Sequence, residues 1–154
     1  MKVLFLSVGK PKQAETAALF EEYSGRISRL GVEVESKWVK ESSGEGRFTG
    51  DQLMEREATA LAAALPDRGR IIALDRTGRQ MTSPQLGSVI ENWTTPRGTF
   101  VIGGPLGLHR SFLERADQLW SLSHLTFPHD LARAMLSEQV YRALTLVRRI
   151  PYHK

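Results

Sequence analysis

The chain has 154 residues, 41% of them hydrophobic and 25% charged, which fits one globular domain with a sizeable core. It has no cysteine, which excludes a disulfide framework and thiolate chemistry and suits a cytoplasmic protein, and no apolar run approaches the roughly 20 residues of a membrane span. The net charge of +4 is uneven: residues 1–65 carry 9 Lys/Arg against 10 Asp/Glu, and residues 66–154, which hold all four histidines, carry 12 against 7; this reads either as a mildly basic surface or as the side that a polyanion partner approaches.

Lys2 to Val8 is a short apolar run closed by Gly9 and Pro11 and is predicted to be a buried strand. From Gln13 to Leu30, Phe20, Tyr23, Ile27 and Leu30 recur at steps of three and four, which predicts a helix stopped by Gly31. Val32, Val34 and Trp38 alternate with polar residues in a second strand. Residues 41–50 (ESSGEGRFTG) are polar and glycine-rich and are expected to form a mobile loop. Asp51 is the expected N-cap of an alanine-rich helix running to Leu65. Arg70 to Asp75 is a third strand and Arg76 to Arg79 a loop. Ser83 and Pro84 open a further helix as N-cap and first helical residue, with Leu86, Val89, Ile90 and Trp93 on its inner face and residues 94–98 as its stop. A fourth strand leads into Gly103-Gly104-Pro105-Leu106-Gly107. A short helix from Ser111 to Ala116, a fifth strand from Gln118 to Leu122 and a long helix from Pro128 to Arg148 complete the pattern. Strands alternating with helices throughout predict an α/β fold with an open, mostly parallel sheet.

Three stretches can carry chemistry. Glycines between a strand and a helix let the backbone approach a ligand closely, although the same residues make a tight turn. They match neither the G-x-G-x-x-G spacing of a dinucleotide site nor a P-loop. Asp75, at a strand end, can bind a ribose hydroxyl or cap the next turn. Ser121 to His129 gathers hydroxyls and backbone groups able to meet a purine edge, or to satisfy one another. In an open parallel sheet the ends of strands four and five can face one pocket. Beyond that loop the polar candidates are His129, Arg133, Arg142, Tyr152 and His153. A histidine can accept a proton near neutral pH, and His129 can alternatively contact the start of its helix. No histidine–carboxylate spacing suggests a metal site, and no G-x-S-x-G elbow suggests a hydrolase.

Taken in order, Ile102 to Gly107, Ser121 to His129, Leu131-Ala132-Arg133, Glu138 to Ala143 and the tail Pro151-Tyr152-His153-Lys154 resemble the ribosomal RNA large subunit methyltransferase H family, the pseudouridine-N3 methyltransferases of the SPOUT superfamily. The resemblance covers the whole chain, 1–154, as one domain. It implies a SPOUT-type α/β fold with a C-terminal trefoil knot, which periodicity could not reveal. It implies S-adenosylmethionine as cofactor, in a pocket lined by Leu74, Gly103, Gly104 and the loop Leu122, Ser123, His124, Leu125, Thr126 and Phe127. It implies a homodimer acting on a pseudouridine of a large-subunit (23S) rRNA stem-loop near the decoding centre of the assembled ribosome, without metal or membrane. His129, Arg133, Tyr152 and His153 are the catalytic candidates, Arg142 and Lys154 the RNA-binding ones. The tail is expected beside the cofactor pocket. A ribosome-associated RNA-binding factor that does no chemistry is the alternative.

Overall fold

The computed structural model describes residues 1–44, 46–93 and 96–154. Glu45 in the expected loop, and Thr94 and Thr95 in the expected helix stop, lie outside the described residues. Among the described residues five strands, β1 (Lys2–Val8), β2 (Glu33–Val39), β3 (Arg70–Arg79), β4 (Arg97–Ile102) and β5 (Gln118–Trp120), alternate with five helices, α1 (Ala14–Arg29), α2 (Gly50–Ala64), α3 (Ser83–Glu91), α4 (Arg110–Leu113) and α5 (His129–Val147). The sheet order is β2-β1-β4-β3-β5, and all four pairings are parallel.

Apart from its exposed edge strand β2, most of the sheet is buried on both faces, which is why β1 reads as a nearly unbroken apolar run. Successive side chains of a strand point to opposite faces. Val3 and Phe5 accordingly join Phe20 and Ile27 of α1, Ile90 of α3, and Leu136 and Val140 of α5. Leu4, Leu6 and Val8 join Ala58 and Leu61 of α2, Leu108 and Phe112 on the other face. Phe5 stacks on Phe100 with ring centroids 5.6 Å apart and meets Phe20 edge-on at 5.2 Å. Gly31, at φ 73°, ends the first helix in the left-handed region that favours glycine.

Several expected boundaries move, each for a local reason. Thr49, not Asp51, caps α2: its side chain accepts the Gln52 N–H while the Gln52 side chain accepts the Thr49 N–H, a reciprocal capping box. Thr82, not Ser83, caps α3 in the same way with Gln85. The third strand does not end at Asp75. It breaks register and resumes, so that Leu74 and Arg79 both pair with Trp120 and the expected 76–79 loop belongs to the strand. A Cβ on Gly78 would lie 2.6–2.7 Å from the Leu119 and Trp120 backbone, so glycine is required where these segments approach. β5 stops at Trp120 rather than Leu122, and α4 covers only Arg110–Leu113.

Gln13, the N-cap of α1, makes no side-chain cap. Asp130, from the first turn of α5, supplies it: one carboxylate oxygen accepts the Lys12 and Gln13 N–H groups at 2.9 and 3.3 Å. The fold therefore ties the first helix to the start of the last one.

Candidate functional site

The carboxyl ends of β3, β4 and β5 open onto one cavity of about 980 Å³, the place where parallel sheets bind ligands. Its walls are the β3 end from Leu74 to Thr77, the glycine turn, the loop after Trp120, and His129 and Ala132 of α5. Of the expected cofactor residues, Leu74, Gly103, Gly104, Leu122, Ser123, Leu125, Thr126 and Phe127 line it; His124 is exposed and does not. Of the expected catalytic residues, His129 lines it, and Arg133, Tyr152 and His153 do not.

The glycine turn is closed by the Gly107 N–H donating to the Gly104 carbonyl at 2.9 Å, with Gly107 at φ 88°. A Cβ on Gly103 would lie 2.7 Å from the Gly107 carbonyl carbon and 2.9 Å from the Leu108 nitrogen. No side chain fits there, so main chain forms that wall. In the second loop the Ser121 hydroxyl donates to the Ser123 carbonyl at 2.8 Å, and the Ser123 hydroxyl accepts the Leu125 N–H at 3.1 Å. These two hydroxyls shape the loop itself. Asp75 likewise accepts the Thr77 N–H at 2.9 Å and the Thr77 hydroxyl, the capping role open to it.

His129 sits at the cavity wall as the first residue of α5. Its Nε2 is buried and lies 3.3 Å from Asp130 Oδ1, close enough for an ion pair but out of line for a hydrogen bond. Nδ1 is the ring nitrogen left for a ligand. Arg133, one turn on, points into the protein: it is 7% exposed, donates to the Ser36 hydroxyl at 2.7 Å and lies 3.8 Å over the Phe20 ring. Burial pushes its guanidinium below the usual range. It ties α5 to α1 and β2.

The tail folds back along α5. The Tyr152 hydroxyl donates to Glu138 Oε1 at 3.0 Å, and its ring meets Tyr141 edge-on at 4.8 Å. Burial, with hydrogen bonds to Tyr23 and Glu138, holds its phenol well above the usual range. Arg142 bonds Glu138 at 2.6 Å, lies 4.6 Å over the Tyr152 ring and reaches His153 Nδ1 at 3.4 Å. Within one chain none of these residues, nor Lys154, lines the cavity.

Two carboxylates escaped sequence reasoning. Nothing local marked Asp130, whose partners lie more than a hundred residues away. Glu57, 6% exposed, had a signal: its spacing of four from Leu53 and Leu61 places it on the buried face of α2. It accepts the Ser42 N–H at 2.9 Å and stands behind the glycine turn. Burial, and to a lesser extent neighbouring Glu41, raise its carboxyl above the ordinary range against the Ser42 bond. The native state thus holds this proton more tightly than the unfolded chain, and stability falls as pH rises from the ordinary carboxylate range through the raised native value. Glu57→Gln keeps an oxygen for Ser42. It should raise the urea midpoint near pH 7.5, with the gain disappearing near pH 4; a gain that grows on acidification contradicts this account.

No helix among the described residues is long and apolar enough to cross a membrane, and no group of three or more His, Asp or Glu side chains there is placed to hold a metal.

A parallel sheet with a glycine turn and a hydroxyl loop closing one cavity at its carboxyl edge agrees with a match of residues 1–153 to the family described as "Predicted SPOUT methyltransferase". The fold is therefore that of a SPOUT methyltransferase. Full-length relatives narrow it further. The chain is similar to ribosomal RNA large subunit methyltransferase H of Chromobacterium violaceum (35% identical, covering 100% of this chain and 99% of the relative) and of Burkholderia ambifaria (36%, 100% and 99%), and to ribosomal RNA large subunit methyltransferase H 1 of Clostridium perfringens (36%, 100% of each). It belongs to the ribosomal RNA large subunit methyltransferase H family. A solved structure of a probable methylase family protein from Haemophilus influenzae shares the fold, with a TM-score of 0.55 at 10% identity over 99% of this chain and 70% of that one.

Proposed function

We propose that this chain transfers a methyl group from S-adenosylmethionine to N3 of a pseudouridine in a large-subunit (23S) rRNA stem-loop near the decoding centre, acting in the cytoplasm as a homodimer on the assembled ribosome. The observation that carries this reading is full-length similarity to rRNA methyltransferases together with a cavity built from the residues that the resemblance assigns to the cofactor. The cavity fits that cofactor. Leu74, Ile102, Leu122 and Phe127 offer apolar walls to a purine, and the glycine turn presents bare main chain. We infer the knotted C-terminal half from the family resemblance alone.

The cofactor supplies an electrophilic methyl group, so the protein chiefly positions reactants. His129, at the cavity wall, takes the N3 proton. Tyr152 and His153 of a partner chain stand over the target base, and Arg142 and Lys154 meet its phosphates. Arg133 serves from inside, by fixing the first turns of α5 on which His129 stands.

Mass spectrometry of rRNA from cells with and without the gene tests the reading: one methylated pseudouridine should disappear. Retention of every methyl group, with no transfer to ribosomes in vitro, leaves an RNA-binding factor instead. At Gly104 a Cβ would already lie 3.0 Å from Val8 Cγ1 and 3.6 Å from Glu57 Oε2. Gly104→Val would press on Val8 behind the turn and displace the turn towards the cavity, so S-adenosylmethionine binding in calorimetry should be abolished, with circular dichroism checking that the fold survives; unchanged affinity removes the glycines from the site.

A further inference from the structure

A second, shallower cavity of about 340 Å³ lies between α3 and the free edge of the sheet, and nothing in the reaction described above uses it. Two arginines open onto it from β3. Arg70 starts that strand and Arg79 ends it, and the register break that sets both Leu74 and Arg79 against Trp120 places Arg79 beside β5. Neither side chain has a hydrogen bond, ion pair or ring partner among the described residues. The adjoining carboxylate, Asp117, is committed to the Ile71 N–H at 2.7 Å, and no Asp or Glu lines the cavity.

The neutral groups complete a pattern. Gln85 spends its carbonyl oxygen on the Thr82 N–H of the capping box, and Gln118 spends its own on the Trp120 indole N–H at 3.0 Å. Each is left with its NH₂ group, a donor. Asn92 is reversed: its NH₂ donates to the Ser88 carbonyl at 2.7 Å, which leaves its oxygen as acceptor. The cavity thus offers two guanidinium forks and two amide donors, with one acceptor to the side. Guanidinium forks match phosphate oxygens, and an acceptor beside them matches a sugar hydroxyl.

We propose that this cavity binds the ribose-phosphate backbone of the substrate RNA, next to the nucleotide being methylated. Gln118 lies two residues from Trp120, which lines the first cavity, or about 7 Å along a strand. That is roughly one nucleotide step, so a strand whose target base enters the first cavity lays its neighbouring phosphate on the second. Free phosphate shares the same chemistry, and the test separates the two. The inference rests on the RNA-methyltransferase reading.

The experiment compares wild type with R70Q/R79Q, and with R79Q alone because Arg79 is exposed and its loss spares the fold. Methylation of ribosomes should show KM raised roughly tenfold in the double variant, with kcat and S-adenosylmethionine affinity unchanged. The slope of log affinity against log salt for a single-stranded RNA oligonucleotide should fall by about 0.7 for each phosphate that is no longer neutralised. A variant equal to wild type in KM and in salt slope overturns the inference. So does displacement of the oligonucleotide by inorganic phosphate at equal concentration, which marks a free-anion site. If wild type fails to methylate ribosomes, the reaction reading falls. The oligonucleotide measurement still decides the site, because loss of binding in the variants supports it and equal binding overturns it.

Discussion

Deletion of Tyr152, His153 and Lys154 abolishes methyl transfer and leaves a folded protein of unchanged oligomeric state. The tail rests on α5 through the Tyr152 phenol on Glu138, an aromatic edge on Tyr141 and Arg142, and on α1 through the Tyr23 hydroxyl. Its removal leaves Arg142 and Glu138 paired with each other, so no buried charge is orphaned. The stability cost is therefore about 1–3 kcal/mol, that of a hydrogen bond to a charged group plus an aromatic contact. Catalytically the loss is large, because the tail holds a ring that can stack on an unpaired base, an imidazole and an ammonium in consecutive positions. Tyr152→Ala should reduce turnover most and Lys154→Ala should mainly weaken RNA binding. Thermal melts, light scattering and a ribosome methylation assay on the same preparations check these expectations. A truncated protein active at full rate makes the tail ordinary surface and leaves the catalytic burden to His129 and Arg133.

His129→Asn should lower the methylation rate constant by about 10²–10⁴, the usual contribution of a positioned general base, without changing S-adenosylmethionine affinity more than a few fold. His129 is the one proposed catalytic side chain that lines the cavity of its own chain, and its Nε2 is turned into protein against Asp130. The substitution leaves the Asp130 bonds to Lys12 and Gln13 in place, so the start of α1 stays capped. Single-turnover kinetics with saturating cofactor separate this from a binding defect. A rate within threefold of wild type removes His129 from the proton-transfer step.

The order of elements was legible because most of the sheet is covered on both faces, which writes β1 and β4 into the chain as apolar runs. The cavity was legible through its glycines and its hydroxyl loop, since both lie at strand ends. The misplaced caps had a readable signal in Thr49–Gln52 and Thr82–Gln85, a threonine with glutamine three residues on; Asp51 and Ser83 are merely neighbouring residues of capping type. The continuation of β3 was hidden by its composition. Residues 76–79 are polar and turn-like, and they become strand only because Trp120 lies beside them. The inward turn of Arg133 and the docking of the tail on Glu138 depend on contacts between distant segments, which leave no local pattern.

The place of β1 inside the sheet, between β2 and β4, has a kinetic consequence. Its first residues pair on one side with β2 and on the other with β4, Lys2 standing opposite both Glu33 and Arg97. During synthesis the first half of the chain can form β1, α1 and β2, yet the inner edge of β1 waits, unsatisfied, until β4 has emerged. Parallel pairings between remote segments place such proteins among the slower folders, and an apolar strand left open meanwhile is a template for association with other chains. The cavity, assembled from β3, β4, β5 and the start of α5, is completed last. Newly made chains of this protein are therefore exposed to association with one another over a window that closes when β4, Arg97–Ile102, has joined β1.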